Sequence, residues 1–380
     1  MDYASSTPVL KEVREVMDKY YTKDFYNPGA IYQEALVVKA NISEARKKVA
    51  RILGVSNSGI VFTSSGTESN NLAILGAFEK SLETFQKPHI LVSSIEHPAV
   101  LKACEEVVRR GGEMSLVEVD EEGVVSLESL KKNLKKNTFL VSIGLANSEI
   151  GTVEPVSKAG RIIKEFRKEN NSKYPLLHTD ASQAPSYLPV GVEQLQVDLL
   201  TIDASKIYGP KGSALLAIRS GVEILPVTVG GSQERGLRAG TENPSAIVGL
   251  AKALEIAERD REGELERLEA LREEFIKLVE EKIPEAVING SRESHLPNIV
   301  SISIPNTLSE FILLKLDKEG VMVSVGTTCS LDELVSGSPV IEALGKGYLK
   351  ESTLRFSFGR EINLNEVKQV VEKLYRVTRI

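Results

Sequence analysis

The chain lacks the features that would place it in a membrane, an oxidising compartment or on nucleic acid. Only two cysteines, Cys104 and Cys329, occur in 380 residues, so no disulfide framework is available. No run of 18 or more apolar residues exists, which argues against a helical membrane span. The opening Met1-Asp2-Tyr3-Ala4-Ser5-Ser6 lacks the basic and apolar regions of a secretion signal, and the expected setting is cytoplasmic. A basic excess is missing too: Lys+Arg 47 against Asp+Glu 53 gives a net charge of −6, which argues against a nucleic-acid binder. Internal repeats and low-complexity linkers are absent. Neither G-x-x-x-x-G-K-[ST] nor G-x-G-x-x-G after the first strand is found, so ATP and dinucleotide readings lose their usual support.

What is present reads as a globular enzyme, with 42% hydrophobic and 26% charged residues. At roughly 150 residues per domain, the length suggests two or three domains, or one large unit with a satellite. From about Ser43 to Ile218, helical patterns alternate with the β-rich runs Ile60–Phe62, His89–Val92, Phe139–Ile143, Leu176–His178, Val197–Ile202 and Ala214–Ile218. That alternation predicts a large α/β unit with a mostly parallel sheet covered on both faces. After Thr241 the texture changes. Ser245 to Lys282 reads as a long charged helix, expected to bend or break at Gly263. Strand patterns at Ile299–Ile304, Val321–Val325 and Leu354–Phe358, with helices from Ser309 and after Asn363, predict a smaller α+β unit with an antiparallel sheet. The expected division is a large unit over 15–245 and a small one over 1–14 and 246–380.

Three stretches carry chemistry. Thr63-Ser64-Ser65-Gly66-Thr67-Glu68 follows a strand and opens a helix, so its amides, the Thr67 hydroxyl and the helix dipole suit an anion. A plain Ser/Thr helix cap fits the same residues. His178-Thr179-Asp180 ends a later strand, where ligand groups sit in open α/β sheets. No partner cluster with ligand spacing accompanies His178 and Asp180, so no metal is expected. Lys206 lies at the end of the next strand, ahead of Tyr208-Gly209-Pro210-Lys211-Gly212. A carboxylate and a lysine on such strand ends suit pyridoxal phosphate. The lysine would carry it as a Schiff base, and the carboxylate would keep its ring nitrogen protonated. Lys211 reads as a turn residue. Cys329 precedes a polar stretch with Gly337 and several serines, the placement of an exposed thiol, whereas Cys104 sits in a mixed helical pattern and is expected to be buried and inert.

The stretches SGTESNN at 65–71, EHPAV at 96–100, NSEIGT at 147–152, HTDASQ at 178–183, SKIYGPKG at 205–212 and ERGLRAGTEN at 234–243 resemble the NifS-like cysteine desulfurases. These are fold-type I pyridoxal-phosphate enzymes related to class V aminotransferases, and the resemblance runs nearly end to end. It implies that Lys206 carries the cofactor, Asp180 pairs with the pyridine nitrogen, and His97 stacks on the ring and assists proton transfer. Gln183 would bond the phenolic oxygen, and Gly66 and Thr67 would bind the phosphate. Ser148 and Ser205 would also face the cofactor, and Thr241 would reach the phosphate in the partner of a homodimer. Arg355 would clamp the substrate carboxylate with Asn147 beside it, while Cys329 would take the sulfur of L-cysteine as a persulfide. The implied outcome is L-alanine plus sulfur for an acceptor or iron–sulfur scaffold protein. The loop after Cys329 matches the length of the family's mobile-loop branch.

Three positions depart from the family pattern. Ser148 stands where Asn is common, Ser205 where a His usually precedes the lysine, and Asp203 where a phosphate-binding Ser is found. A carboxylate ~4 Å from a phosphate would cost ~4 kcal/mol per unit charge at an effective dielectric of 20. Either Asp203 turns away or is protonated, or the cofactor is held weakly; a one-residue slip would let Ser205 serve instead. Two alternatives follow. One is another aminotransferase or lyase in which Cys329 is incidental, and the other is a catalytically weakened relative serving as scaffold or sulfur relay.

Overall fold

The computed structural model describes residues 1–326 and 337–379. Strands β1 (Ile60–Thr63), β2 (His89–Ser93), β3 (Glu113–Val117), β4 (Thr138–Ser142), β5 (Leu176–Asp180), β6 (Leu199–Asp203) and β7 (Ala214–Ile218) form one sheet, in the order β1-β7-β6-β5-β4-β2-β3. Neighbours from β3 to β6 pair in parallel, and β7 alone runs against both of its neighbours. Apolar runs such as Phe139-Leu140-Val141 form strands buried on both faces, because helices cover each side. β3 was not legible in the sequence: it is an edge strand, its Glu113-Met114-Ser115-Leu116 half exposed, so no apolar run marks it.

Helices α1 (Lys11–Thr22), α2 (Gln33–Leu53), α3 (Gly66–Ser81), α4 (Pro98–Arg109), α5 (Leu127–Asn133), α6 (Val156–Glu169), α7 (Val192–Leu195) and α8 (Pro244–Lys282) surround or follow this sheet. On α4, Val100, Ala103, Cys104 and Val107 recur at helical spacing and are all buried. Cys104 is therefore a core residue, and burial pushes its thiol pKa far up. The expected break at Gly263 does not occur, since α8 runs unbroken from Pro244 to Lys282. A helical glycine costs about 1 kcal/mol, and both flanks of this one are anchored. Leu250 and Leu254 pack in the core of the large sheet, while Leu268, Phe275 and Val279 pack in a second core.

That second core rests on a three-stranded antiparallel sheet, β8 (Val287–Asn289), β9 (Ile299–Ser303) and β10 (Thr353–Ser357), in the order β10-β9-β8. Met1 and Ala4 join it, because Asp2 bridges Ser357. Val321–Val325 is not a strand; only Ser324 bridges Arg355 there. Helices α9 (Ser309–Lys318), α10 (Pro339–Ala343) and α11 (Leu364–Thr378) complete the described chain, and the last starts on an Asn363–Glu366 capping box. No described helix is long and apolar enough to cross a membrane.

Candidate active site

A cavity of about 560 Å³ opens at the C-terminal ends of β2, β4, β5 and β6, where side-chain ends meet the N-termini of α3 and α4. Asp180 is the last residue of β5. Its Oδ1 accepts from the Ser182 amide (3.0 Å) and hydroxyl (2.6 Å), and its Oδ2 accepts from Asn70 Nδ2 (2.7 Å). Three donors and no acceptor suit an ionised carboxylate. Asn70 is buried on α3, one turn past Gly66, and its own Oδ1 has no partner among the described residues.

Lys206 follows the end of β6 through a single 3-10 turn and lines the cavity, where Nζ donates to the Ser5 carbonyl (2.5 Å). Lys211 donates to the Thr7 carbonyl (2.5 Å) and does not line it. The N-terminal segment therefore meets both lysines, and only one faces the Asp180 side. His97 caps α4, its Nδ1 accepting from the Ala99 amide (3.1 Å), which in the neutral ring puts the proton on Nε2.

Two glutamates that also line the cavity are set apart by burial. Glu96 is fully enclosed; desolvation pushes its pKa up to about 8, opposed by the Gly144 amide (2.6 Å) and aided by the nearby charges of Asp180 and Glu154. Glu154 is likewise raised to about 8 by burial, with Oε2 on the Val125 amide (2.8 Å). His178, one turn of the pleat behind Asp180, is enclosed between Ser142 Oγ and Thr201 Oγ1, and burial lowers its pKa to about 4. It is a neutral core residue.

Arg355 enters from β10. Nη1 donates to the Ser148 carbonyl (2.9 Å), Nη2 to Asp2 Oδ1 (2.9 Å) and Ser5 Oγ (2.6 Å), and its buried Nε has no partner among the described residues. The Ser148 carbonyl is presented by a tight loop. Asn147 Oδ1 accepts from the Glu149 and Ile150 amides (2.8 and 3.0 Å), and its Nδ2 donates to the Ile95 carbonyl (2.8 Å). Gly151 closes that loop at φ +75 against Ile299, a conformation that disfavours any side chain. Asn147 thus lines the cavity while its amide holds the loop. Gln183 also lines it, with Nε2 on the Ala4 carbonyl (2.9 Å).

Gly66 and Thr67 line the cavity at the start of α3, one turn before Asn70. The lining there includes Asp203 and not Ser205, so the chain does not slip to bring Ser205 in. Thr241 is exposed and outside the cavity. Cys329 lies outside the described residues. Asn70, Glu96, Glu154, Asp2 and Ser5 are site residues that sequence reasoning did not single out. Asn70 had a signal, since four residues beyond Gly66 it must share that residue's helix face. Asp2 had none, because only the bridge to Ser357 brings it to Arg355.

The donor set fits pyridoxal phosphate at the Asp180 and Lys206 wall: a carboxylate with three donors behind it, a lysine one strand away, and a cavity of suitable size. The fit is poorer at the start of α3, where Asp203 adds a negative charge.

The chain matches the model of the class-V aminotransferase family over residues 1–370. It is 42% identical over 387 aligned positions to the cysteine desulfurase IscS of Dictyoglomus turgidum, covering 100% of this chain and 95% of that one. The cysteine desulfurase IscS of Methanosarcina thermophila is 40% identical, with 98% and 90% covered. Among solved structures, a NifS-like protein superposes with a TM-score of 0.91 at 34% identity, covering 100% and 98%. The apo cysteine desulfurase of Thermococcus onnurineus superposes at 0.86 and 25% identity, covering 100% and 94%.

Proposed function

The chain belongs to the class-V aminotransferase family, and from that membership we infer that it is a pyridoxal-phosphate-dependent cysteine desulfurase, turning L-cysteine into L-alanine with the sulfur carried on Cys329. The observation that carries this reading is the pairing of Asp180 and Lys206 at the ends of adjacent strands in one cavity that His97 and Arg355 also line. Bound there, the cofactor supplies an electron sink for the bonds at the amino acid's α-carbon. Lys206 would hold it covalently and move the α-proton. Asp180, oriented by Asn70 and Ser182, would hold the ring nitrogen protonated. Gln183 would face its phenolic oxygen, and Gly66 and Thr67 its phosphate. His97 would stack on the ring and assist proton transfer, its orientation set by the Ala99 amide on Nδ1.

Arg355 would take the substrate carboxylate. Its guanidinium is buried, already aimed by Ser148, Asp2 and Ser5, and its Nε–H is unspent among the described residues. Asn147 and Ser148 then act by fixing that loop. A free cysteine has a pKa of ~8.5, so Cys329 needs a proton acceptor or a positive field to attack as thiolate. That attack transfers the substrate sulfur to Cys329 as a persulfide, and the carbon skeleton takes a proton and leaves as alanine. An acceptor or iron–sulfur scaffold protein would then collect the sulfur in the cytoplasm.

A homodimer belongs to this reading. The last turn of α1 and the segment that leads from it to α2 expose Tyr21, Phe25, Ile31 and Tyr32, a group of apolar side chains that a second copy would cover. Exposed Thr241 could then serve the neighbouring subunit's cofactor. The test is direct. Protein given pyridoxal phosphate and borohydride should carry the label on Lys206, and L-cysteine should add one sulfur to the Cys329 peptide and none to that of Cys104. Label on Lys211, or alanine formation without sulfur on Cys329, would sink the assignment.

A further inference from the structure

We propose that Asp203 is a resident anion at the phosphate end of the cofactor site, and that it makes this chain hold pyridoxal phosphate loosely. The inference rests on the functional reading above and concerns how tightly the cofactor is kept. Asp203 ends β6 beside Asp180, and its Oδ2 accepts from the Gly66 amide at 2.9 Å. Gly66 is the first residue of α3, a helix of 16 residues, so this amide is one of the unpaired donors at the helix's positive end. It is the donor a phosphate oxygen would seek. The other oxygen, Oδ1, accepts from the Ser205 amide at 2.8 Å, which pins the carboxylate in place.

The approach is close. A methyl group at position 66 would lie 3.3 Å from Asp203 Oδ2 and 3.5 Å from Ser182 Oγ. Asp203 makes no ion pair among the described residues, so its charge is met only by amides and the helix dipole. A phosphate arriving at Gly66 must therefore displace this carboxylate or sit against it, and like charges at such range repel strongly where water is excluded. The penalty falls on the phosphate and not on the ring, because the ring nitrogen would be held by Asp180, which meets α3 a turn further on at Asn70. The carboxylate thus narrows the advantage of a phosphorylated cofactor over an unphosphorylated one, and cofactor exchanges more readily than from a site with a neutral side chain there.

The experiment compares pyridoxal phosphate and pyridoxal on the full chain freed of cofactor, with the parent, Asp203→Asn and Asp203→Ser. Dissociation constants come from the visible absorbance of the bound cofactor, and borohydride labelling of Lys206 verifies the site. Asn keeps one acceptor for the two amides, and Ser covers the case in which Asn folds poorly; melting temperatures of the cofactor-free proteins report that. The ratio of the pyridoxal to the pyridoxal phosphate constant should rise at least about tenfold in the variants, while pyridoxal alone changes by no more than about twofold. An unchanged ratio overturns the role of Asp203 and leaves the desulfurase reading intact. Equal gains for both cofactors overturn it too, since the effect would not then act through phosphate. Failure of both cofactors to label Lys206 in any of the proteins overturns the functional reading itself, and this inference with it.

Discussion

Asp180 and Asp203 are built alike and placed to opposite effect. Each ends one of two adjacent parallel strands, each accepts the amide two residues on (Ser182 at 3.0 Å, Ser205 at 2.8 Å), and each sends its second oxygen to α3. Asp180 reaches the Asn70 side chain, whereas Asp203 reaches the Gly66 backbone one turn earlier. In the proposed reading, one turn of helix separates a carboxylate that would meet a cationic ring nitrogen from one that would meet a phosphate. The local hydrogen-bond motif does not distinguish them. The charge of the ligand end that each one faces does.

The largest effect should come from the lysines that follow this pair. Lys206→Ala should lower alanine formation by about 10²–10⁴-fold or more, because the proton-transferring group goes with it. Lys211→Ala should leave turnover within a few-fold of the parent, since that ammonium is spent on the Thr7 carbonyl. Comparable losses in both, measured at saturating cofactor, would erase the distinction between the two lysines.

Asp180→Asn comes next and attacks one side of the comparison. It keeps the volume and an acceptor but removes the charge that keeps the ring nitrogen protonated. Turnover should fall by about 10²–10³-fold, the usual cost of losing one preorganised electrostatic group. Asp203→Asn should not slow turnover at saturating cofactor. If both variants lose activity equally, the two carboxylates share one role and the contrast fails.

Arg355→Lys should act on substrate alone. Replacing a planar fork by a point charge forfeits about 1.5–3 kcal/mol of charged hydrogen bonding, hence a KM for L-cysteine higher by about 10–100-fold. The cofactor's visible spectrum should be unaltered, because Arg355 spends its hydrogen bonds on Ser148, Asp2 and Ser5 and none on Asp180. An unchanged KM would reduce Arg355 to a structural tie between the chain's two ends.

These contrasts also mark how far the sequence could be read. Strands such as Phe139–Ile143 are visible because burial on both faces leaves a continuous apolar run, and Lys206 and Asp180 because strand ends carry local signals, whereas His97 is reached only through the resemblance of its EHPAV stretch. Polar edge strand β3 and the three-residue β8 gave no such signal. The continuity of α8 past Gly263 was hidden because packing into two cores overrides a local propensity. Asp203 was flagged as a misfit from its residue type, but its direction was not legible. Whether a strand-end carboxylate turns toward α3 or away depends on a contact across 137 positions of chain.

The smallest effect is expected from Glu96. Burial raises its pKa to about 8, whereas in the unfolded chain it ionises in the ordinary carboxylate range near 4.5. Between those values the folded state holds a proton that the unfolded state has lost. Stability therefore falls as pH rises across that window and levels off above about 8. One such group contributes a slope of at most about 1.4 kcal/mol per pH unit, which for a chain this long moves the melting temperature by about a degree or two per unit. Glu154, raised to about 8 by its own burial, should supply a similar slope, so the parent carries both. Glu96→Gln keeps an acceptor for the Gly144 amide and cannot ionise. Melting curves from pH 5.5 to 8 should show a shallower decline in the variant than in the parent, with the two converging at the acid end. The comparison with Asp180 also predicts that this variant keeps its cofactor spectrum at pH 6, where Glu96 is already neutral. A parallel decline in both proteins would mean that Glu96 is ionised in the folded state, and that Asp180 shares its wall with a second charge.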